Sequence, residues 1–302
     1  METAKSNGIE MAFREYGDPA GEPVFLIPGL GMSSVLWPVS FVRTLVQGGC
    51  RVIAPDNRDS GRSERMTGAV RPVDVLAAIG RTLVRLPVSA AYGLETLAED
   101  ALGLADALGI ARFHVAGISM GGMISQVLCA MAPERAATLT SISSATGNPR
   151  TGFGKISTIW TILEPSGYRA AGEKGMPSIE ALDRVLRAIG SPDFPRTEEE
   201  KKRILEITAG ESRDMAATHR QLLALLKSGD RRGQVSHIRV PSLVIHGTKD
   251  PLLPPAAGRE TARLIEGSRL EMIEGMGHDF PEVLGERIGR LMLSHMARHP
   301  AR

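Results

Sequence analysis

Aromatic side chains are scarce: 4% of the 302 residues are Phe, Tyr or Trp, so a deep aromatic-lined pocket is not expected. Cysteine is nearly absent. The two that occur, Cys50 and Cys129, each lie in or beside an apolar segment, which reads as buried free thiols rather than a bridge and fits a reducing compartment. Lysine is also rare, and no basic run exceeds Lys201-Lys202-Arg203 and Arg231-Arg232. With acids around the first and a loop around the second, and a net charge of +2, a nucleic-acid surface is excluded. There is no G-x-G-x-x-G turn, no P-loop and no His/Cys/Asp grouping at metal-ligand spacing, so neither a cofactor nor a metal is expected. The first residues, METAKSNGIEM, have no apolar core of signal-peptide type, and the expected location is cytoplasmic.

One absence points two ways. Positions 113–133 contain no Asp, Glu, Lys or Arg, and a charge-free stretch of that length can mark a membrane span. Internal Gly, Ser, Gln and His, with Pro133 at its end, argue instead for a buried strand followed by a buried helix. What the chain does have is an ordinary 42% of hydrophobic residues, and enough length to bury a large core without disulfides or metal.

Short strand-like runs recur at 24–27, 51–55, 112–117, 139–143, 242–247 and 269–273. Helical patterns separate most of them, as at 41–49, 93–109, 258–267 and 283–299. Strands alternating with helices predict an α/β fold with a mostly parallel sheet covered on both faces. Residues 9–18, IEMAFREYGD, alternate as an antiparallel hairpin does. From 147 to 235 no convincing strand occurs, but helical patterns run over 179–190, 197–208 and 213–228, with breaks at Pro177, Pro192, Pro195 and Gly210. The expected organisation is a core domain over 1–146, an inserted helical cap over 147–235 and the rest of the core over 236–302.

The most informative motif is GISMGG (117–122), which places Ser119 in a G-x-S-x-G frame. A strand-like run precedes it and a long apolar helical segment follows. That is the context of a nucleophile elbow, a strained turn whose serine projects at the top of a sheet. Residues two before and two after the serine must be small, and Gly117 and Gly121 are. A nucleophilic serine needs a base and an acid that orients it. SLVIHGTKDPLLP places Asp250 just past a strand, 250 − 119 = 131 residues on, and RLEMIEGMGHDFP places His278 a further 278 − 250 = 28 on. The other histidines fit less well. His246 and His114 lie within strands and read as packed residues, and His219 reads as a surface residue of a cap helix. Asp279 directly follows His278, so its side chain points elsewhere. Two amides are the expected oxyanion donors: Met120, right after the serine, and Leu30, in the glycine-bearing loop IPGLGMSS (27–34).

These pieces together resemble the α/β-hydrolase-fold serine hydrolases over nearly the whole chain. DNRDSGRS (56–63) matches a D-x-R-x-x-G-x-S loop whose role in that family is mainly structural. RDSGRS, PSLVIHGTKDPLLP and IEGMGH are most similar to the aclacinomycin methylesterase type. The resemblance implies hydrolysis of a carboxylic ester, with a methyl ester on a bulky polycyclic substrate as one candidate. Two features depart from the pattern. Pro28-Gly29 stands where many members have His-Gly, and the stretch 64–92, with a helical pattern at 75–86, is longer than in the methylesterases.

The expected activity is therefore that of a serine carboxylesterase acting on small to medium esters through an acyl-enzyme. Cofactor-free perhydrolases, often called haloperoxidases, and C–C bond hydrolases share the fold and remain open, as does a receptor-like ligand-binding role. The expected partner is a small-molecule ester, with no nucleic acid and no membrane span; a homodimer stays open. Trp37, Trp160, Phe153 and Met123 are apolar enough to face substrate, although core packing is the favoured reading of each.

Overall fold

The computed structural model describes residues 1–152, 154, 179–209 and 215–301. Eight strands form one sheet: β1 (Glu2–Ser6), β2 (Ile9–Tyr16), β3 (Glu22–Ile27), β4 (Cys50–Pro55), β5 (Phe113–Ile118), β6 (Ala136–Ile142), β7 (Ser242–Gly247) and β8 (Arg269–Ile273). Their spatial order is β1-β2-β4-β3-β5-β6-β7-β8. From β4 to β8 every pairing is parallel, and β2 joins β4 antiparallel. The sheet is the mostly parallel α/β sheet that the alternation of patterns predicts.

The hairpin lies upstream of its expected position. Residues 9–16 form one strand, and its antiparallel partner is β1. The turn is Asn7-Gly8, both with positive φ (45° and 78°), the pairing that a two-residue hairpin favours. The alternation over 9–18 was thus that of one half-buried strand rather than of two.

Helices α1 (Val39–Gln47), α2 (Pro72–Leu83), α3 (Leu94–Ala107) and α4 (Met120–Met131) follow the first strands. Then come α5 (Ile179–Ile189), α6 (Glu198–Ala209), α7 (Met215–Ser228), the short α8 (Arg232–Val235), α9 (Pro255–Leu264) and α10 (Glu282–Met296). Between β6 and β7 the described residues hold helices and no strand.

Side chains of a strand alternate between its faces, and a strand covered on both sides must be apolar at every position. In β3, Phe25 and Ile27 pack with α3 and α4, whereas Val24 and Leu26 pack with α1 and α10. In β5, Phe113 and Val115 take the first side and Ala116 and Ile118 the second. This two-sided burial explains the charge-free stretch 113–133. No described helix is long and apolar enough to cross a membrane. A smaller apolar cluster joins α2 to α7 through Val75, Ala78, Leu223 and Leu226. Cys50 and Cys129 are buried free thiols; burial pushes the first up to about 12 and raises the second as well.

Candidate active site

Ser119 occupies the turn between β5 and α4 with φ 55° and ψ −121°. A non-glycine residue is strained there and persists only where its surroundings enforce it. They do so tightly. A Cβ on Gly117 would collide with the carbonyl of Gly121, and one on Gly121 would collide with the carbonyls of Ile27 and Pro28. The Ser119 backbone is held on both sides: its N–H donates to Ile142 O at 2.9 Å, and its carbonyl accepts from Ser144 Oγ at 2.8 Å.

Asp250 lies three residues past β7 and His278 five past β8, so both reach the carboxyl edge of the sheet where β5 delivers Ser119. His278 Nε2 is 3.0 Å from Ser119 Oγ, and His278 Nδ1 is 2.8 Å from Asp250 Oδ2. A carboxylate only accepts, so Nδ1 carries the proton and Nε2 presents a lone pair to the serine hydroxyl. Asp250 Oδ1 accepts from the N–H groups of Leu252 and Leu253 at 2.9 and 2.8 Å, which fixes the carboxylate's orientation. The His278 backbone N–H donates to Ile189 O at 2.7 Å, tying its loop to α5.

Leu30 lies three residues past β3, on the same edge. Gly29 abuts the serine, since a Cβ there would sit 3.5 Å from Ser119 Cβ. Met120 is the first residue of α4, so its N–H lies outside the helical ladder and at the positive end of the helix dipole. Neither the Leu30 nor the Met120 amide donates to an acceptor among the described residues.

The DNRDSGRS loop braces this edge. Asp56 accepts from Ser34 N and Arg62 N, Asn57 Nδ2 donates to Pro28 O at 3.0 Å, and Ser60 Oγ donates to Met32 O. Arg58 forms a two-point ion pair with Asp100, and Asp59 forms another with Arg220. Tyr92 Oη also donates to Asp59 at 2.7 Å; burial, then the nearby Asp59 carboxylate, raise its pKa.

The remaining candidates fall as follows. His114 is buried between Thr138 Oγ1 (2.8 Å) and Glu22 Oε1 (3.1 Å), as a packed strand residue. His246 is also buried; its Nε2 donates to Leu253 O at 2.8 Å and lies 3.5 Å from Asp250 Oδ2, so it supports the Asp250 loop. Asp279 turns away from Ser119 to accept from Ser191 Oγ and Arg196 Nε. His219 departs from expectation: it is buried, not on the surface, because α7 packs against both α2 and α3 and has little solvent-facing side. No grouping of metal-ligating side chains occurs among the described residues.

A cavity of about 380 Å³ opens onto Ser119 and His278. Its wall is mostly aliphatic, with Val185, Leu186 and Ile189 of α5 and Leu222, Leu225 and Leu226 of α7. Ile79 and Thr82 bring α2, from the long 64–92 stretch, to the same wall. Trp37 and Met123 line it while remaining buried. Phe153 and Trp160 lie outside the described residues. Among the described residues, Arg196 and Arg231 are the cations that line the cavity. Arg196 is neutralised by Asp279. Arg231 donates to the carbonyls of Gly229 and Ala145 and makes no ion pair with a carboxylate among the described residues; burial pushes its pKa down to about 10, which still leaves it charged at neutral pH.

Sequence reasoning missed Ser144, Gln221 and Arg231. Ser144 and Arg231 carry no local signal. Gln221 has one: it lies on the buried stripe of an amphipathic helix, between Ala217 and Ala224.

Comparisons with known proteins agree with this picture. A family model described as the alpha/beta hydrolase family matches residues 24–287. Rhodomycin D methylesterase of Streptomyces peucetius is 29% identical over 293 residues, covering 92% of each chain. The rhodomycin D methylesterase of Streptomyces sp. strain C5 is 29% identical over 299 residues, again covering 92% of each. The enol-lactonase of Burkholderia xenovorans LB400 superposes with a TM-score of 0.72 at 26% identity, covering 98% of this chain and 100% of its own. The methylesterase likeness read from the motifs is thus found across most of the chain.

Proposed function

We propose that this chain, which belongs to the alpha/beta hydrolase family, is a serine carboxylesterase working through an acyl-enzyme. One observation carries the reading: a hydrogen-bonded chain runs from Ser119 Oγ through His278 to Asp250, with contacts of 3.0 and 2.8 Å, beneath an apolar cavity. In this reading Ser119 Oγ attacks the ester carbonyl as its proton passes to His278 Nε2. Asp250 stabilises the imidazolium and holds its tautomer. The oxyanion of the tetrahedral intermediate takes the free amides of Met120 and Leu30. The intermediate collapses, and the alcohol leaves with the proton from His278. Water, deprotonated by the same nitrogen, then releases the acid. None of these steps needs a cofactor.

The described residues within 147–235 act in this proposal as a helical cap, since α5 and α7 supply much of the cavity wall, and the rest of that range lies outside the described residues. The aliphatic lining suits an apolar ester of small to medium size. The likeness to methylesterases makes the methyl ester of a bulky fused-ring acid the first natural type to test. The assay is turnover of p-nitrophenyl esters from acetate to palmitate, beside such a methyl ester. Ser119→Ala is expected to lose about 10⁴-fold or more in rate while melting as the parent does. Near-parental turnover by that variant would overturn the proposal. Bromination in peroxide and acetate, or cleavage of a dienoate, exceeding ester turnover would move the assignment to the perhydrolase or C–C hydrolase alternatives.

A further inference from the structure

The loop that carries Leu30 is pinned at three points, none supplied by its own strand. Pro28 O and Met32 O accept from Asn57 Nδ2 and Ser60 Oγ of the DNRDSGRS loop. Between them, the Gly31 N–H donates to Gln221 Oε1 at 2.8 Å, from a helix 190 residues further along the chain. Gln221 is completely buried, and its Nε2 donates to Arg58 O at 2.7 Å. The amide orientation follows from its partners. An N–H can only donate and a carbonyl can only accept, so Oε1 must face Gly31 and Nε2 must face Arg58. One side chain therefore bridges the DNRDSGRS loop to the oxyanion loop.

The neighbouring residues set this bridge in place. Arg220 makes its two-point pair with Asp59, at 3.0 and 2.6 Å, and fixes how α7 is rotated. Thr218, one turn before Gln221, lies against Gly31: a Cβ on that glycine would sit 3.4 Å from Thr218 Oγ1. Leu30 itself stands between Gly29 and Gly31, and Gly31 has φ 64°. Glycines on both sides leave the Leu30 backbone soft unless something outside the loop holds it. Fixing the Gly31 N–H fixes the peptide plane that follows Leu30, and with Asn57 holding Pro28 O it leaves the Leu30 N–H little freedom.

We infer that Gln221 is a positioning residue for the oxyanion hole, directing the Leu30 N–H through its hydrogen bond to the Gly31 N–H. The inference rests on the esterase proposal and adds to it. The segment that walls the cavity would also set the catalytic rate, through one helix that touches both the cavity and the oxyanion loop.

The test is Gln221→Leu, which keeps the volume and removes both hydrogen bonds. An oxyanion donor removed outright costs about 10²–10³-fold in kcat, so a donor merely loosened should cost about 10- to 100-fold, with KM on p-nitrophenyl acetate within about twofold. A trifluoromethyl ketone, whose hemiketal oxyanion fills the same hole, should lose affinity by the same factor as kcat/KM falls. Gln221→Glu keeps an acceptor for the Gly31 N–H and should hold kcat within about fivefold of the parent. A folded Gln221→Leu protein with kcat within about twofold of the parent would overturn the inference, as would a loss carried by KM with ketone affinity unchanged. If Gln221→Leu does not fold, Gln221→Glu decides: a folded protein with kcat down by more than about 50-fold overturns the inference as well. Serine-dependent ester turnover with an inert Gln221 would sink this inference alone; ester turnover that survives Ser119→Ala would sink the esterase proposal.

Discussion

The two halves of the candidate site are held by different means. Ser119, Asp250 and His278 sit within a few residues of parallel strand ends and bond to one another. The loop of Leu30 also leaves a strand end, but it is held from across the molecule by Asn57, Ser60 and Gln221. In the first half, local chain geometry does most of the positioning. In the second half, tertiary packing does it. Damage to the two halves should therefore look different: abolished chemistry in one, a misdirected donor or a loosened fold in the other.

The largest expected effect breaks the first half. His278→Ala should lower kcat/KM on p-nitrophenyl esters by about 10⁴-fold, with thermal melting unchanged. Next comes the elbow backbone. Gly121→Ala places a Cβ against the Ile27 and Pro28 carbonyls, so either Ser119 or the oxyanion loop must move. A displacement of about 1 Å costs on the order of 100-fold, and steady-state kinetics would detect it alongside a lowered melting temperature.

The second half should respond first in stability. Asp59→Ala leaves Arg220 buried without its carboxylate, a change that typically costs about 3–5 kcal/mol in urea unfolding. Activity measured well below the melting point should fall by less than for Gln221→Leu, because Gln221 still reaches Gly31. The reverse order, with Asp59→Ala slowing catalysis more than Gln221→Leu, would show that the ion pair rather than the amide aims the donor.

A smaller effect concerns pH. Burial lowers the pKa of His114, His246 and His295. A histidine whose folded pKa lies below its unfolded value of about 6.5 binds its proton more readily when unfolded. Its contribution is present above that unfolded value and is lost as pH falls toward the folded one. Melting temperature should therefore drop as pH is lowered below about 6.5, and His114→Gln should flatten that slope.

The same contrast separates what the sequence discloses from what it withholds. GISMGG, Asp250 and His278 were legible because each is a local pattern tied to a strand end, and the order of strands and helices fixes which edge they share. Two-sided burial of β5 made its charge-free run readable as strand and helix. The hairpin was displaced because alternation within a single strand looks the same as alternation across two, and the deciding signal was Asn7-Gly8 upstream. His219 reads as a surface residue because nothing local reveals that α7 packs against both α2 and α3. Gln221, Ser144 and Arg231 were missed because their roles exist only after distant segments meet. A glutamine between Ala217 and Ala224 on an amphipathic helix is the one trace any of them leaves.

The central claim is that Ser119 is the nucleophile, and a fluorophosphonate tests it most directly. Incubation followed by mass spectrometry of the digested protein should find one adduct per chain, on the peptide containing Ser119, with ester turnover lost in proportion to labelling. An unlabelled Ser119 in a protein that still hydrolyses esters, or an adduct on another residue that accounts for the lost activity, would contradict the account.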